Sequence, residues 1–295
     1  MSSRNLPQIG YWRVALGEWQ LTVVSDGTAT RDTSQLLLNV EAERLDHMLA
    51  ESFRAPRMQL SMNTLLIDTG SSVMLIDTGA GDLFKPEGGL LVENLTASGY
   101  PPDRIDAVIL THIHADHSGG LVLNGEPVFK SATIYVPERD FDFFMDPNEE
   151  ARAPDRYKHV FGQAQRCLGP YVATGQIRRF GWDTELLPGI TSRAAPGHTP
   201  GHTFLALESD GERLLFLGDT VHVAEVQFGC PCAAVAFDID PDRAIEQRRR
   251  AFEEAARGAY WVGFNHVSFP GIGHIRKSGD GFRWVPRPYL LWGSN

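Results

Sequence analysis

The chain has 295 residues, 42% of them hydrophobic and 10% aromatic, which is enough apolar matter for a sizeable core and too much for a disordered chain. Acidic residues total 37 against 27 basic ones, a formal net charge of -10, which repels a phosphate backbone over most of the surface and argues against a nucleic-acid partner. No run of about 18 apolar residues is present to span a membrane, and residues 1–10 lack an apolar stretch behind a basic start, so neither secretion nor a membrane partner is expected. The odd count of three cysteines fits a reducing cytoplasm. Cys230-Pro231-Cys232 is too tightly spaced for the usual two-residue metal knuckle, so these are expected to be ordinary thiols near a site mouth. The length suits one α/β domain over residues 1–295, with about 1–18 as an N-terminal extension.

In chain order, residues 19–24 alternate as a strand and stop at Ser25-Asp26-Gly27, a turn signal. Residues 41–53 place Leu45, Met48, Leu49 and Phe53 on one side of a helix. Residues 63–68 and 73–77 read as a hairpin around Gly70-Ser71-Ser72 that delivers Asp77 to a strand end, and 90–97 reads as a short helix. The run 105–111 is short and apolar, with several β-branched residues, which suits a buried strand. It ends abruptly at His112, His114, Asp116 and His117. Imidazole and carboxylate together suit zinc and related first-row metals, and the spacing His112-x-His114 lets both rings lean toward one ion from an extended loop. Asp116 and His117 then face a second ion. In α/β sheets ligands commonly bind at the carboxyl ends of strands, where this cluster falls.

Further along, 133–136 reads as a strand and 138–145 and 153–167 as helices. Phe141, Phe143, Phe144, Tyr157 and Phe161 are mostly core, with one or two expected on the wall of an apolar pocket. Residues 203–208 and 213–217 form a second hairpin, with His198 before one strand and Asp219 after the other. Residues 241–257 read as a helix with Asp240 as its cap, Pro241 in its first turn and Gly258 as its stop. Its Arg248-Arg249-Arg250 run is expected on the solvated face. A last strand, 260–264, delivers His266, which is preferred over His274 as a late ligand because it follows the strand directly.

The stretch 112–117 resembles the H-x-H-x-D-H signature of the metallo-β-lactamase superfamily. Asp77 in Leu-Ile-Asp-Thr-Gly, His198 in Pro-Gly-His-Thr-Pro-Gly-His, Asp219 in Leu-Phe-Leu-Gly-Asp and His266 in Phe-Asn-His-Val follow the superfamily's order, over roughly residues 10–290. Within it the chain is similar to methyl parathion hydrolase-like and N-acyl homoserine lactone lactonase-like enzymes. Residues 25–28 and 268–276 carry the first likeness, and 196–202 both.

The resemblance implies an αββα sandwich, a homodimer and a pair of divalent ions, zinc first, with manganese, iron or cobalt as alternatives. It implies His112, His114 and His198 on one ion, Asp116, His117 and His266 on the other, and Asp219 bridging them beside a hydroxide. Asp116 and Asp219 are thereby catalytic, and Asp77 is expected to orient a ligating histidine. In the resembling enzymes, segment 133–194 and the loop near Phe84 help wall the pocket. Many acyl-homoserine lactonases carry a tyrosine three residues after the bridging aspartate; His222 stands there instead, either protonating the leaving group or packing. The implied activity is hydrolysis of a small substrate with an apolar portion, first a lactone of the acyl-homoserine type. Phosphotriester or aryl ester hydrolysis comes next, then β-lactam hydrolysis, then a metal-bound scaffold without catalysis.

Overall fold

A computed structural model describes residues 8–290. Two seven-stranded sheets lie face to face. The first runs in the order Tyr11–Leu16, Trp19–Asp32, Arg57–Asp68, Val73–Ile76, Ala107–Ile109, Thr133–Pro137 and Ile177–Phe180. The second runs Glu185–Leu187, Ile190–Ala194, Thr203–Ser209, Glu212–Phe216, Trp261–Gly263, Ile272–Ser278 and Gly281–Pro286.

The period of two along each strand sorts side chains into layers. Leu65 and Ile67 point inward and join Ile109, Leu205, Leu207, Leu214 and Phe216 in a core shared by both sheets. Leu66, Leu75 and Val108 point outward beneath Phe161, Leu168 and Tyr171 of the Asp155–Ala173 helix. Phe204, Ala206 and Leu215 of the second sheet are covered by Ala251, Phe252 and Ala255 of the Pro241–Gly258 helix. Each of the leucine, isoleucine, valine and phenylalanine side chains among these contributes about 1.5–3 kcal/mol by leaving water. Helices on both outer faces make this an αββα sandwich, as the resemblance implied.

Several local expectations need correction. The supposed N-terminal extension is in part structured: Tyr11–Leu16 pairs with the next strand from Tyr11↔Val24 to Leu16↔Trp19. The expected turn at Ser25-Asp26-Gly27 is instead an irregularity inside the 14-residue strand Trp19–Asp32. There the buried Asp26 carboxylate accepts from the backbone N–H groups of Ala80, Gly89 and Leu91, and pins the 80–91 loop to the sheet. The 241–258 helix starts as expected, with Asp240 accepting from Arg243 N, but its left-handed stop is Ala259 (φ 50°) rather than Gly258. Arg248 is not on a solvated face. It is 1% exposed, and Arg249 and Arg250 alone face outward. Trp292, an aromatic residue near the end of the sequence that a homodimer surface could draw on, lies outside the described residues.

Both sheets send their loops to the same edge. Parallel pairing of Val73–Ile76 with Ala107–Ile109 sets Asp77 beside the 112–117 loop. Parallel pairing of Glu212–Phe216 with Trp261–Gly263 sets Asp219 beside His266.

Candidate metal centre

All seven sequence-chosen ligands converge at this edge. His112, His114, His198 and Asp219 present ligand atoms within 4.8 Å of one another, as do Asp116, His117 and His266. Five of the seven are buried; His114 and Asp116 are partly exposed and mark the open side. A third group, Asp219, His222 and His266, meets the same distance limit.

The first histidines face each other nitrogen to nitrogen. His114 Nδ1 lies 3.1 Å from His112 Nε2 and 3.0 Å from His198 Nε2. The opposite nitrogens of two of these rings are already occupied: His112 Nδ1 is 3.0 Å from Thr111 Oγ1, and His198 Nδ1 is 2.8 Å from Asp238 Oδ1. Converging lone pairs repel unless a cation sits among them, so the donor set fits a metal ion. The second group behaves alike. His117 Nδ1 is 2.9 Å from Asp77 Oδ2, which fixes Nε2 as the inward nitrogen. His117 Nε2 and Asp219 Oδ1 are buried without a hydrogen-bond partner although 3.1 Å apart. His266 is oriented by Ser61, its Nδ1 lying 2.7 Å from the Ser61 carbonyl. Its Nε2 is 3.2 Å from Asp219 Oδ2 and 3.4 Å from Asp116 Oδ2.

The charges tell the same story. Burial holds His112 and His114 well below the ordinary imidazole range. Burial opposes charge on His117 too, but Asp219, Asp77 and Asp116 together raise it well above that range. For His198, burial is outweighed by Asp219 and Asp238, which lift it to about 9. Four carboxylates, Asp77, Asp116, Asp219 and Asp238, and the rings around them thus form a cage that attracts positive charge, whether proton or metal.

Asp77 takes the orienting place expected of it. It sits at φ 60° and accepts from Thr111 N, Thr111 Oγ1 and Asn265 Nδ2 as well as facing His117. His202 is not among the ligand groups. Its Nδ1 is 3.1 Å from the Ala195 carbonyl, and its Nε2 accepts from Asp219 N, so it positions the shared aspartate. His274 is elsewhere, stacked on Trp261. The glycines Gly119 and Gly120 that follow the 112–117 loop serve a close backbone approach. A Cβ on Gly120 would lie 1.9 Å from the Thr78 carbonyl, so the close approach is to the Asp77 turn rather than to the ion positions.

His222 is buried in the cluster, its Nε2 3.2 Å from Asp219 Oδ2 and its ring stacked 4.8 Å from His266. Its backbone N–H donates to Gln227 Oε1. Of the aromatic residues, Phe144 and Phe161 are core at 1% exposure, and Tyr157 donates to the Ala236 carbonyl. Phe237 was not foreseen. It is 41% exposed and its ring centroid is 6.5 Å from that of His222. Asp238, Asn265, Gln227, Asp140 and Arg248 were also missed; only Asn265, adjacent to His266, carried any signal in the sequence. The cysteines are free thiols and join no ligand group among the described residues.

The sequence profile described as the metallo-beta-lactamase superfamily matches residues 59–255. The chain belongs to that superfamily. Within the metallo-beta-lactamase superfamily it is similar to the solved hydrolase AbOPH, with a TM-score of 0.92, 30% identity, and coverage of 97% of this chain and 100% of that one. It is similar also to AidC, a dizinc quorum-quenching lactonase solved with its product N-hexanoyl-L-homoserine, with a TM-score of 0.89, 25% identity, and coverage of 95% and 98%. Among curated proteins, the N-acyl homoserine lactonase AiiA of Bacillus thuringiensis subsp. kurstaki is 24% identical over 245 residues, spanning 75% of this chain and 88% of AiiA. The protein is therefore a metallo-hydrolase of this superfamily with a histidine and aspartate cluster suited to divalent metals.

Proposed function

We propose that the protein opens lactones of the acyl-homoserine type, a quorum-quenching activity, with two divalent ions, zinc in the first instance. The observation that carries this reading is the interlocking of two ligand groups that share Asp219, in a chain similar to lactonases over most of its length. His112, His114 and His198 would hold one ion, Asp116, His117 and His266 the other, and Asp219 both. When bound, such a pair supplies an acidic water as nucleophile at neutral pH and a Lewis acid for the substrate oxygen.

This chain's own residues do the rest. Asp77, Asp238 and the Ser61 carbonyl keep three imidazoles aimed inward. Asp116, at the partly open side, places a ligating carboxylate where substrate enters. In this reading His222 would protonate the leaving alkoxide, from a ring that burial holds down to about 4 in the metal-free protein. Phe237, exposed beside it, offers an apolar surface for the acyl portion of the substrate. The same reading takes the chain as a single domain, a cytoplasmic protein and a homodimer, with no nucleic-acid or membrane partner. No helix among the described residues is long and apolar enough to cross a membrane.

Aryl ester or phosphotriester hydrolysis is the second reading, favoured by one observation: a histidine stands at 222, where many lactonases carry tyrosine. A side-by-side comparison of kcat/KM on acyl-homoserine lactones of different chain length, nitrophenyl esters and a phosphotriester tests both. The lactonase reading expects the lactones to lead. It fails if they turn over no faster than the background rate while an ester or phosphotriester is consumed.

A further inference from the structure

Asp140 belongs to no ligand group, yet its carboxylate is where the two histidine loops of the first ion position meet. It is 0% exposed, in the first turn of the Glu138–Phe144 helix. Its Oδ2 accepts from the backbone N–H of Ile113 at 3.0 Å and from Thr199 Oγ1 at 2.8 Å, and its Oδ1 accepts from the backbone N–H of Gly201. Ile113 lies between His112 and His114, while Thr199 follows His198 directly. One carboxylate thus grips both loops within one or two residues of all three histidines.

The fit is close. A Cβ on Gly201 would lie 2.5 Å from Asp140 N and 2.8 Å from its Oδ1, so only glycine lets the 198–201 loop approach this far. A backbone bond from Thr203 N to the Thr111 carbonyl, 3.0 Å long, ties the strand ends behind the loops. Between the loops themselves, His114 Nδ1 and His198 Nε2 lie 3.0 Å apart, but both nitrogens face the ion position, so the support from outside that position comes from Asp140. A buried carboxylate accepting three donors is strongly directional, and charge-assisted bonds of this kind are about twice as strong as neutral ones.

We infer that Asp140 is a positioning residue that sets the separation of the His112/His114 loop from His198, and through it the affinity of the first ion. The inference rests on the ligand assignment proposed above. It does not depend on which substrate is hydrolysed. The second ion's ligands Asp116, His117 and His266 receive no bond from Asp140, so the effect of losing it is confined to one of two sites.

The test is a zinc titration of metal-free protein against a chromophoric chelator, with circular dichroism to confirm folding. His198→Ala identifies the phase that belongs to the first site. Asp140→Asn keeps the shape but turns an N–H₂ toward donors, and is expected to weaken the first phase by about 10–100-fold, the usual cost of losing an outer support of a metal site. The second phase should stay within about twofold of wild type. Thr199→Val removes one bond of three and should weaken the first phase by about threefold.

A folded Asp140→Asn that binds both ions as wild type does would overturn the inference. So would equal weakening of both phases, the mark of a general structural loss. Should Asp140→Asn not fold, Thr199→Val decides by the same two criteria. Wild-type protein that takes up no zinc would overturn the ligand assignment and this inference together. Failure on every lactone with normal zinc isotherms would count against the substrate reading alone.

Discussion

Replacing Arg248 by methionine should destabilise the protein by about 2–5 kcal/mol. The guanidinium is buried at 1% exposure and donates to three backbone carbonyls: Nε to Thr220 at 2.6 Å, and one terminal nitrogen to Pro231 at 3.1 Å and Ala233 at 2.8 Å. Burial pushes it down to about 10, so it still carries its charge at neutral pH. Methionine fills much of the volume but donates nothing. The Ala233 carbonyl keeps a partner, since Gln227 Nε2 donates to it at 2.9 Å. The carbonyls of Thr220 and Pro231 lose theirs, and each buried polar group left unpaired costs about 1–3 kcal/mol. The apolar replacement offsets part of this by sparing a buried charge its desolvation. Chemical denaturation of metal-free wild type and Arg248→Met measures the difference, with Arg248→Lys as the control that keeps charge but loses the planar fork. A loss under about 1 kcal/mol for methionine would refute the argument that the Thr220 and Pro231 carbonyls depend on this side chain.

Asp219→Ala should bind fewer than two equivalents of metal and lose most hydrolytic activity, because its two oxygens face both ligand groups; unchanged metal content with full activity would contradict that role. His222→Ala should slow lactones, which have poor alkoxide leaving groups, by about 10²-fold and nitrophenyl esters far less, if His222 protonates the leaving group; equal losses, with a lower melting temperature, would point to packing instead. In metal-free protein His198 is raised from 6.5 to about 9, so its contribution of about 3 kcal/mol is fully present below pH 6.5 and lost as pH rises through about 9. Denaturation midpoints should fall more over that window in wild type than in His198→Ala, and equal falls would mean that His198 contributes nothing. Sedimentation should give a dimer mass, and a single species at 32.7 kDa at micromolar concentration would exclude the proposed homodimer.

The candidate cluster was legible because metal chemistry restricts residue type so strongly. Few arrangements other than a metal centre bring His112, His114, Asp116 and His117 into one short loop, and the later ligands each follow or precede a recognisable strand. The fold was legible in outline: the apolar runs at 65–67, 203–207 and 214–216 read as strands, but being apolar on both faces they do not state which side chains face the shared core. What sequence could not convey was the identity of the supports. Asp238 orients His198 from 40 positions away, Asp140 reaches Thr199 from 59, and Asn63 meets Val267 across 204. Such pairs exist only once the two sheets are stacked, and a lone Asp in a helix or loop has the same local appearance whether it faces water or a buried N–H.

Arg248 makes the same point from the opposite direction. Three consecutive arginines on an otherwise polar helix read as a solvated face, because charged residues are rarely buried fully without partners. Its partners are carbonyls of irregular loops, 218–222 and 231–233, and no side-chain pattern encodes a carbonyl. Those loops hold Asp219 and His222, and irregular backbone is what lets them converge on the cluster. Irregular backbone leaves polar groups unpaired by any strand or helix, so a buried site built from loops requires buried donors and acceptors nearby. Charged residues such as Arg248, which sequence reading assigns to water, and Asp140, which it passes over, are therefore the ones such a site draws inward.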